Sequence, residues 1–130
     1  MIKSISLLFL FSMLCLHDSY SQETFYSKRY TEDGGRTYKY QNTDILVHPK
    51  EQKVTFTYDS STLTYYIEDI SETDTERTET SVIETITMYC KDKSGRRYNI
   101  LFSIAFRPGR APYYSVLVSD LSTKEQRIYL

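Results

Sequence analysis

The chain has 130 residues, with 16 Lys and Arg against 17 Asp and Glu, for a formal net charge of −1. This balance gives no basic footprint for nucleic acid, whose binders gather positive charge on one face. Aromatic content rests on 13 Tyr and 6 Phe with no Trp, so a sugar-stacking platform would have to be built from Tyr alone.

Lys3 precedes an apolar run, Ile5 to Leu16, of signal-peptide length and too short to span a bilayer. Ser19-Tyr20-Ser21 puts small residues at the −3 and −1 positions before Gln22. Residues 1–21 are therefore read as a cleaved leader and residues 22–130 as a single exported β domain, periplasmic or extracellular. Leu14 before Cys15 does not fit the small residue that a lipid-anchor site needs. Cleavage leaves Cys90 as the one cysteine, which excludes an internal disulfide. The thiol either pairs with a second chain or acts as a small buried hydrophobe, and its position in the pattern favours the second.

Thr24 to Tyr40 is rich in Tyr and broken by Asp33-Gly34-Gly35. Pairing Glu32 with Arg36 sets Tyr30 opposite Tyr38 and Lys28 opposite Tyr40, a hairpin poor enough in aliphatics to be expected at a sheet edge. Its tyrosines either stabilise the sheet or form a contact surface. Next come Ile45 and Val47, then Val54, Phe56 and Tyr58, then Leu63, Tyr65 and Ile67, each alternating with polar residues. Four-residue loops at 49–52 and 59–62 pair Val47 with Val54, Ile45 with Phe56, Phe56 with Tyr65, and Val54 with Ile67.

Glu68 to Ser81 carries six acids against Arg77 alone, interleaved with Thr. It reads as a long exposed loop, or a twisted hairpin drawn out by its Thr content. A calcium loop is disfavoured because no Gly occurs in it.

Val82 to Phe106 gives the clearest signal, two alternating strands about Lys93-Ser94-Gly95. A three-residue loop with Gly95 in the left-handed region pairs Cys90 with Tyr98, Met88 with Ile100, Ile86 with Phe102 and Val82 with Phe106. Residues 107–112 form a connection stiffened by Pro108 and Pro112 and carrying Arg107 and Arg110. Tyr114, Val116 and Val118 form the next strand, and Ile128 and Leu130 are expected on its apolar face after a turn at 120–125. Charge is uneven: residues 22–90 carry 7 basic against 13 acidic side chains, and residues 91–130 carry 8 against 3. Such asymmetry either marks a binding surface or reflects attraction between the two halves across neighbouring strands, and the second is favoured.

The fold class is all-β, an antiparallel meander of about eight or nine strands, closed as a small barrel or packed as a two-sheet sandwich. The leader and meander together resemble small exported bacterial β proteins in general, a likeness that carries no activity and no site residues. Motifs for chemistry are sparse. His48 is the single histidine after cleavage, with no nucleophile elbow, phosphate loop or dinucleotide fingerprint beside it. One His and one Cys are too few for a zinc site, and Glu84 is the one acid on a core strand. No cofactor is expected and catalysis is disfavoured. The reading is a non-enzymatic secreted domain acting in protein–protein interaction (an inhibitor, accessory or envelope component), with Arg107, Arg110 and Tyr113 as candidate binding residues. The alternative is a barrel holding an apolar or aromatic small ligand among Tyr65, Tyr98, Phe102 and Phe106.

Overall fold

A computed structural model describes residues 23–130; the expected leader, its cleavage site and Cys15 lie outside them. Nine strands follow in chain order: β1 (Glu23–Thr31), β2 (Lys39–His48), β3 (Lys53–Tyr58), β4 (Ser61–Ile70), β5 (Asp74–Arg77), β6 (Val82–Lys91), β7 (Arg97–Phe106), β8 (Tyr113–Asp120) and β9 (Gln126–Tyr129). They lie side by side as β4-β3-β2-β1-β9-β8-β7-β6-β5, and a further β4–β6 pairing joins the flanks. All pairings are antiparallel. Eight strands close into an up-and-down barrel, and β5 lies outside it on β6. Closure decides between barrel and sandwich, and it gives the flanking strands partners that an open sheet would leave wanting.

The β6–β7 hairpin has the expected register, including Cys90↔Tyr98, Met88↔Ile100, Ile86↔Phe102 and Val82↔Phe106. Gly95 sits at φ +86°, where a Cβ would be strained. Asp92 and Arg96 close the loop by a 3.0 Å backbone bond, and the Asp92 carboxylate accepts from the backbone N–H groups of Ser94 and Arg96 and from the Ser94 hydroxyl. Inward residues of this hairpin meet those of the other strands in a filled interior. Val54, Phe56, Met88 and Ile100 are fully buried. Phe56 packs against Tyr65 at 5.4 Å and Tyr129 at 5.1 Å between ring centroids, and Tyr65 meets Tyr98 at 4.8 Å. Ile86 and Ile104 form a smaller cluster with Phe106.

The β2–β3 pairs Ile45↔Phe56 and Val47↔Val54 are as expected, but other expectations are corrected. In the first hairpin Tyr30 pairs with Lys39 and Arg29 with Tyr40, in place of Tyr30–Tyr38 and Lys28–Tyr40. The reason is a longer loop organised by Asp33, which accepts from the hydroxyls of Thr31 and Thr37 and from the Thr37 N–H. Gly34 and Gly35, at φ +73° and +94°, let the chain wrap that carboxylate. Nor is this hairpin an edge, because β9 covers the other side of β1. A bulge between Ser27 and Arg29 switches the inward set from Phe25 and Ser27 to Tyr30.

Between β3 and β4 the loop is Asp59-Ser60 alone, with Asp59 at φ +50°, so Phe56 faces Leu63 and Val54 faces Tyr65. That slip of two residues keeps every side chain on its expected face, since the strand period is two. Of the two readings for 68–81, the extended one applies to half of it: β4 runs on to Ile70, and β5 continues along β6 with Asp74↔Thr85 and Arg77↔Val82. On β9 the inward residues are Arg127 and Tyr129, opposite Val118 and Val116, in place of Ile128 and Leu130. The loop sets this parity: Asp120 caps Ser122 and Thr123, and Lys124 turns the chain at φ +67°. Three ion pairs, Lys91–Glu68, Arg97–Glu68 and Arg127–Glu32, join the basic second half to the acidic first half.

Two predictions follow from packing and from the Asp33 loop. Ile100→Ala costs about 2–5 kcal/mol, as a large-to-small change in a closed core does, whereas Tyr40→Ala stays within about 0.5 kcal/mol; urea unfolding read by tyrosine fluorescence separates them. Hydrogen bonds, from the Thr37 hydroxyl first, hold the Asp33 carboxyl down to about 2 from an ordinary 3.8. Its stabilising contribution is therefore complete above pH 3.8 and is lost as pH falls towards 2. Amide exchange at Gly35 and Thr37 accelerates over that interval, and Asp33→Asn makes it pH-independent there.

Candidate functional site

Among the described residues the β1–β9 pairing is the shortest in the barrel wall. The ladder of β1 with β2 runs back to Glu23↔Val47, but with β9 it covers Tyr30↔Tyr129 and Thr31↔Ile128. Leu130 adds the last bonds, taking one from the Lys28 N–H at 3.0 Å and giving one to the Arg29 carbonyl at 2.9 Å. On the other flank β8 pairs with β7 from Tyr113 onward, but with β9 only from Val116. Residues 23–27 of β1 and 113–115 of β8 thus flank a seam in the wall.

Two clefts meet at this seam and share Tyr26 and Leu130. The inner one, about 370 Å³, reaches the core residues Ile45, Val116 and Tyr129, with Phe25 and Tyr114 on its sides. Phe25 is positioned by Phe102 at 5.1 Å and Tyr114 at 6.3 Å. Ser27 turns its hydroxyl to the carbonyls of Arg29 and Leu130, so a polar residue at an inward position is satisfied beside an apolar floor. The outer cleft, about 460 Å³, lies among Tyr26, Lys28, Arg29, Tyr40 and Tyr113. Tyr26 and Tyr40 are 77% and 81% exposed, and Tyr113 and Tyr114 are each 47% exposed. Four tyrosines thus stand in water about an opening with an apolar base. Clustered apolar exposure of this kind marks contact surfaces.

Of the three sequence-proposed binding residues, Tyr113 lines the outer cleft. Arg107 and Arg110 sit in the exposed turn that feeds β8, closed by a 3.2 Å bond from the Arg110 N–H to the Arg107 carbonyl. They belong to the segment leading into the seam but line neither of its clefts. Sequence reasoning did not single out Phe25, Tyr26 or Tyr114. The available signal was the density of Tyr in 24–40 together with Tyr113-Tyr114, two stretches that the topology brings to opposite sides of one gap.

At the opposite end of the barrel a polar cluster seals the mouth. Arg127 points inward, lies 4.3 Å over the Tyr30 ring, and donates to Glu32 at 3.0 Å and to the Tyr129 hydroxyl at 3.4 Å. Lys39 holds Glu32 from the other side at 3.0 Å. These bonds, from Lys39 first and then Arg127, keep the Glu32 carboxyl below its ordinary value. Burial pushes the Tyr65 phenol up. A smaller cleft of about 230 Å³ opens here. On its rim Glu32 is paired with Arg127 and Asp120 with Arg96.

None of the remaining reactive groups lines either seam cleft. His48 bonds Thr55 Oγ1 at 2.9 Å, and its pKa is lowered by burial and then by Lys53, as for a strand-end residue at a turn. Glu84 is fully buried opposite Ile104, whose partner on β8 is Tyr114, so it lies at the level of the seam but lines neither cleft. Cys90 is inward and 2% exposed, and burial pushes its thiol up to about 12. Among the described residues no group of three or more His, Cys, Asp or Glu is placed to hold a metal ion, and no helix is long and apolar enough to cross a membrane. Comparisons with family models, with curated proteins and with solved structures found no match.

Because the thiolate is the reactive species, Cys90 in the folded protein resists iodoacetamide at pH 8 and reacts once urea unfolds the chain. Mass spectrometry before and after unfolding checks this. Labelling of the native protein at a free-cysteine rate would place the thiol at the surface.

Proposed function

We propose that the protein is an exported, non-enzymatic interaction module that engages another polypeptide at the seam between β1 and β8. One observation carries this reading: the seam combines two strand flanks that β9 does not cover with an apolar floor and a rim of four exposed tyrosines. Tyrosine is well suited to such a rim, since it contributes large amphipathic area with few rotatable bonds. Its hydroxyls hydrogen-bond in water when no partner is present, which makes exposure tolerable between binding events. Support also comes from what fills the interior. Tyr65, Tyr98 and Phe102 pack into the main core and Phe106 into the smaller cluster, as side chains fill an eight-strand barrel. The loop arginines Arg107 and Arg110 extend the contact surface beside Tyr113.

A small ligand at the same place is the second reading. It is favoured by the inner cleft, which at 370 Å³ falls within the range of roughly 300–1,000 Å³ usual for ligand pockets.

Native mass spectrometry of the protein recovered from its source, alongside affinity capture with variants, tests both. A co-purifying polypeptide whose capture drops at least about tenfold in Tyr26→Ala/Tyr113→Ala, a loss typical of central aromatic anchors, supports the interaction reading. Tyr89→Ala, which alters an exposed tyrosine on β6, leaves capture unchanged. A small added mass lost in Phe25→Ala supports the ligand reading. Capture indifferent to the seam variants overturns the site.

A further inference from the structure

We infer that the barrel mouth beside Arg127 binds a small zwitterion of the free amino-acid class, its carboxylate inward, its ammonium at the rim and its aliphatic side chain on Leu63. This site is separate from the seam and does not rest on it. Four hairpin turns build this end of the barrel, joining β1 to β2, β3 to β4, β6 to β7 and β8 to β9. Glu23 and Leu130 line the inner seam cleft instead. The shape of the mouth therefore belongs to continuous stretches of the described chain. Interior packing stops short of it: Leu63 takes an inward position opposite the fully buried Phe56, yet is 38% exposed. With Val118, Tyr65 and Tyr98 it walls the cleft of about 230 Å³. Pockets for drug-sized ligands run from roughly 300 to 1,000 Å³, so the occupant here is small.

Hydrogen-bond donors converge on the floor of this cleft. The Tyr129 hydroxyl accepts from Arg127 at 3.4 Å, which leaves its own proton to donate. The Tyr65 hydroxyl makes no hydrogen bond among the described residues, although its ring is fixed edge-on to Phe56 and Tyr98. Burial pushes this phenol up, so it stays protonated and remains a donor. Arg127 gives one bond to Tyr129 and one to Glu32, and its guanidinium has further N–H groups to give. Two phenols and a pinned guanidinium suit a carboxylate, and the pinning spares the cost of ordering them. The rim has the opposite sign. Of its three acids, Glu32 is paired with Lys39 and Arg127, and Asp120 with Arg96. Glu125 makes no ion pair among the described residues, and it is the group that receives the ammonium.

Three probes that share one branched chain test the assignment: L-leucine, 4-methylpentanoate, which lacks the ammonium, and 3-methylbutylamine, which lacks the carboxylate. Each is titrated at neutral pH into the isotope-labelled protein, following the amides of residues 63–65, 118–120 and 125–129. Leucine is expected to shift those amides and to bind at least about tenfold more tightly than either truncated probe. Tyr65→Phe, which removes an unbonded hydroxyl and keeps the ring, weakens leucine about tenfold. Glu125→Gln, an exposed change in a turn, brings leucine down to the affinity of 4-methylpentanoate. Equal binding of 4-methylpentanoate and leucine overturns the ammonium assignment, and equal binding of 3-methylbutylamine overturns the carboxylate one. If no probe shifts the mouth amides, or if both variants bind leucine unchanged, the site falls. Shifts confined to residues 23–27 and 113–115 place the probe at the seam and overturn the mouth as well.

Discussion

Closure of the sheet on itself is the constraint on which the rest of this structure depends, and Tyr129 is where it is made. On one side Tyr129 pairs with Tyr30 of β1 and on the other with Val116 of β8. Its ring is almost wholly buried, 5.1 Å from Phe56 and 5.8 Å from Tyr30. One residue near the end of the described chain thus ties the first strand to the eighth and fills the barrel between them. Arg127, two residues earlier on the same inward face, fixes the mouth through Glu32. The seam lies beside it: among the described residues β9 pairs with β1 at Tyr30 and Thr31 and with β8 from Val116 onward.

Much of this architecture was legible in the residues. The central hairpin could be read pair by pair because turn chemistry and core pattern agreed: Gly95 demanded one loop, and that loop put Met88 against Ile100 and Cys90 against Tyr98. Where local cues were weaker, the strands were found but not their partners. Asp59 adopts a left-handed conformation that many residues resist, giving a shorter turn than its polar neighbours implied, yet the face of each residue survived because the error was even. On β9 the error was odd and the faces exchanged. Ile128, Tyr129 and Leu130 are all apolar, so alternation had nothing to discriminate. The position of the bulge at Lys28 and the wrapping of Asp33 by its loop had no sequence pattern strong enough to announce them.

The site was less legible than the fold, for a related reason. Tyr113 could be nominated from its neighbours, but Tyr26 shares an opening with it only because β1 and β8 lie on either side of β9, and Phe25 meets Tyr114 only because the barrel closes. A binding surface assembled from two distant strands is a product of topology. The acidic stretch, by contrast, shows what charge can accomplish without a ligand. Glu68 ties β4 to Lys91 and Arg97, and β5 carries its carboxylates outside the barrel, where like charges discourage another chain from pairing with it.

The hydrogen bond from Ser27 to the carbonyl of Leu130 spans 103 positions in sequence. Contacts so distant bear the largest loop-closure entropy, so in folding they form after the local hairpins have reduced the search. The β6–β7 hairpin, joined by three residues, is suited to lead; the β1–β9 junction, held by few ladder pairs, comes late. The same ordering applies in reverse to fluctuations of the native state, in which the least-paired junction opens first and at lowest free energy. A polypeptide bound at the seam would then act as a clasp on the last-formed part of the molecule. By mass action, its occupancy would slow opening and raise resistance to proteolysis of the whole barrel.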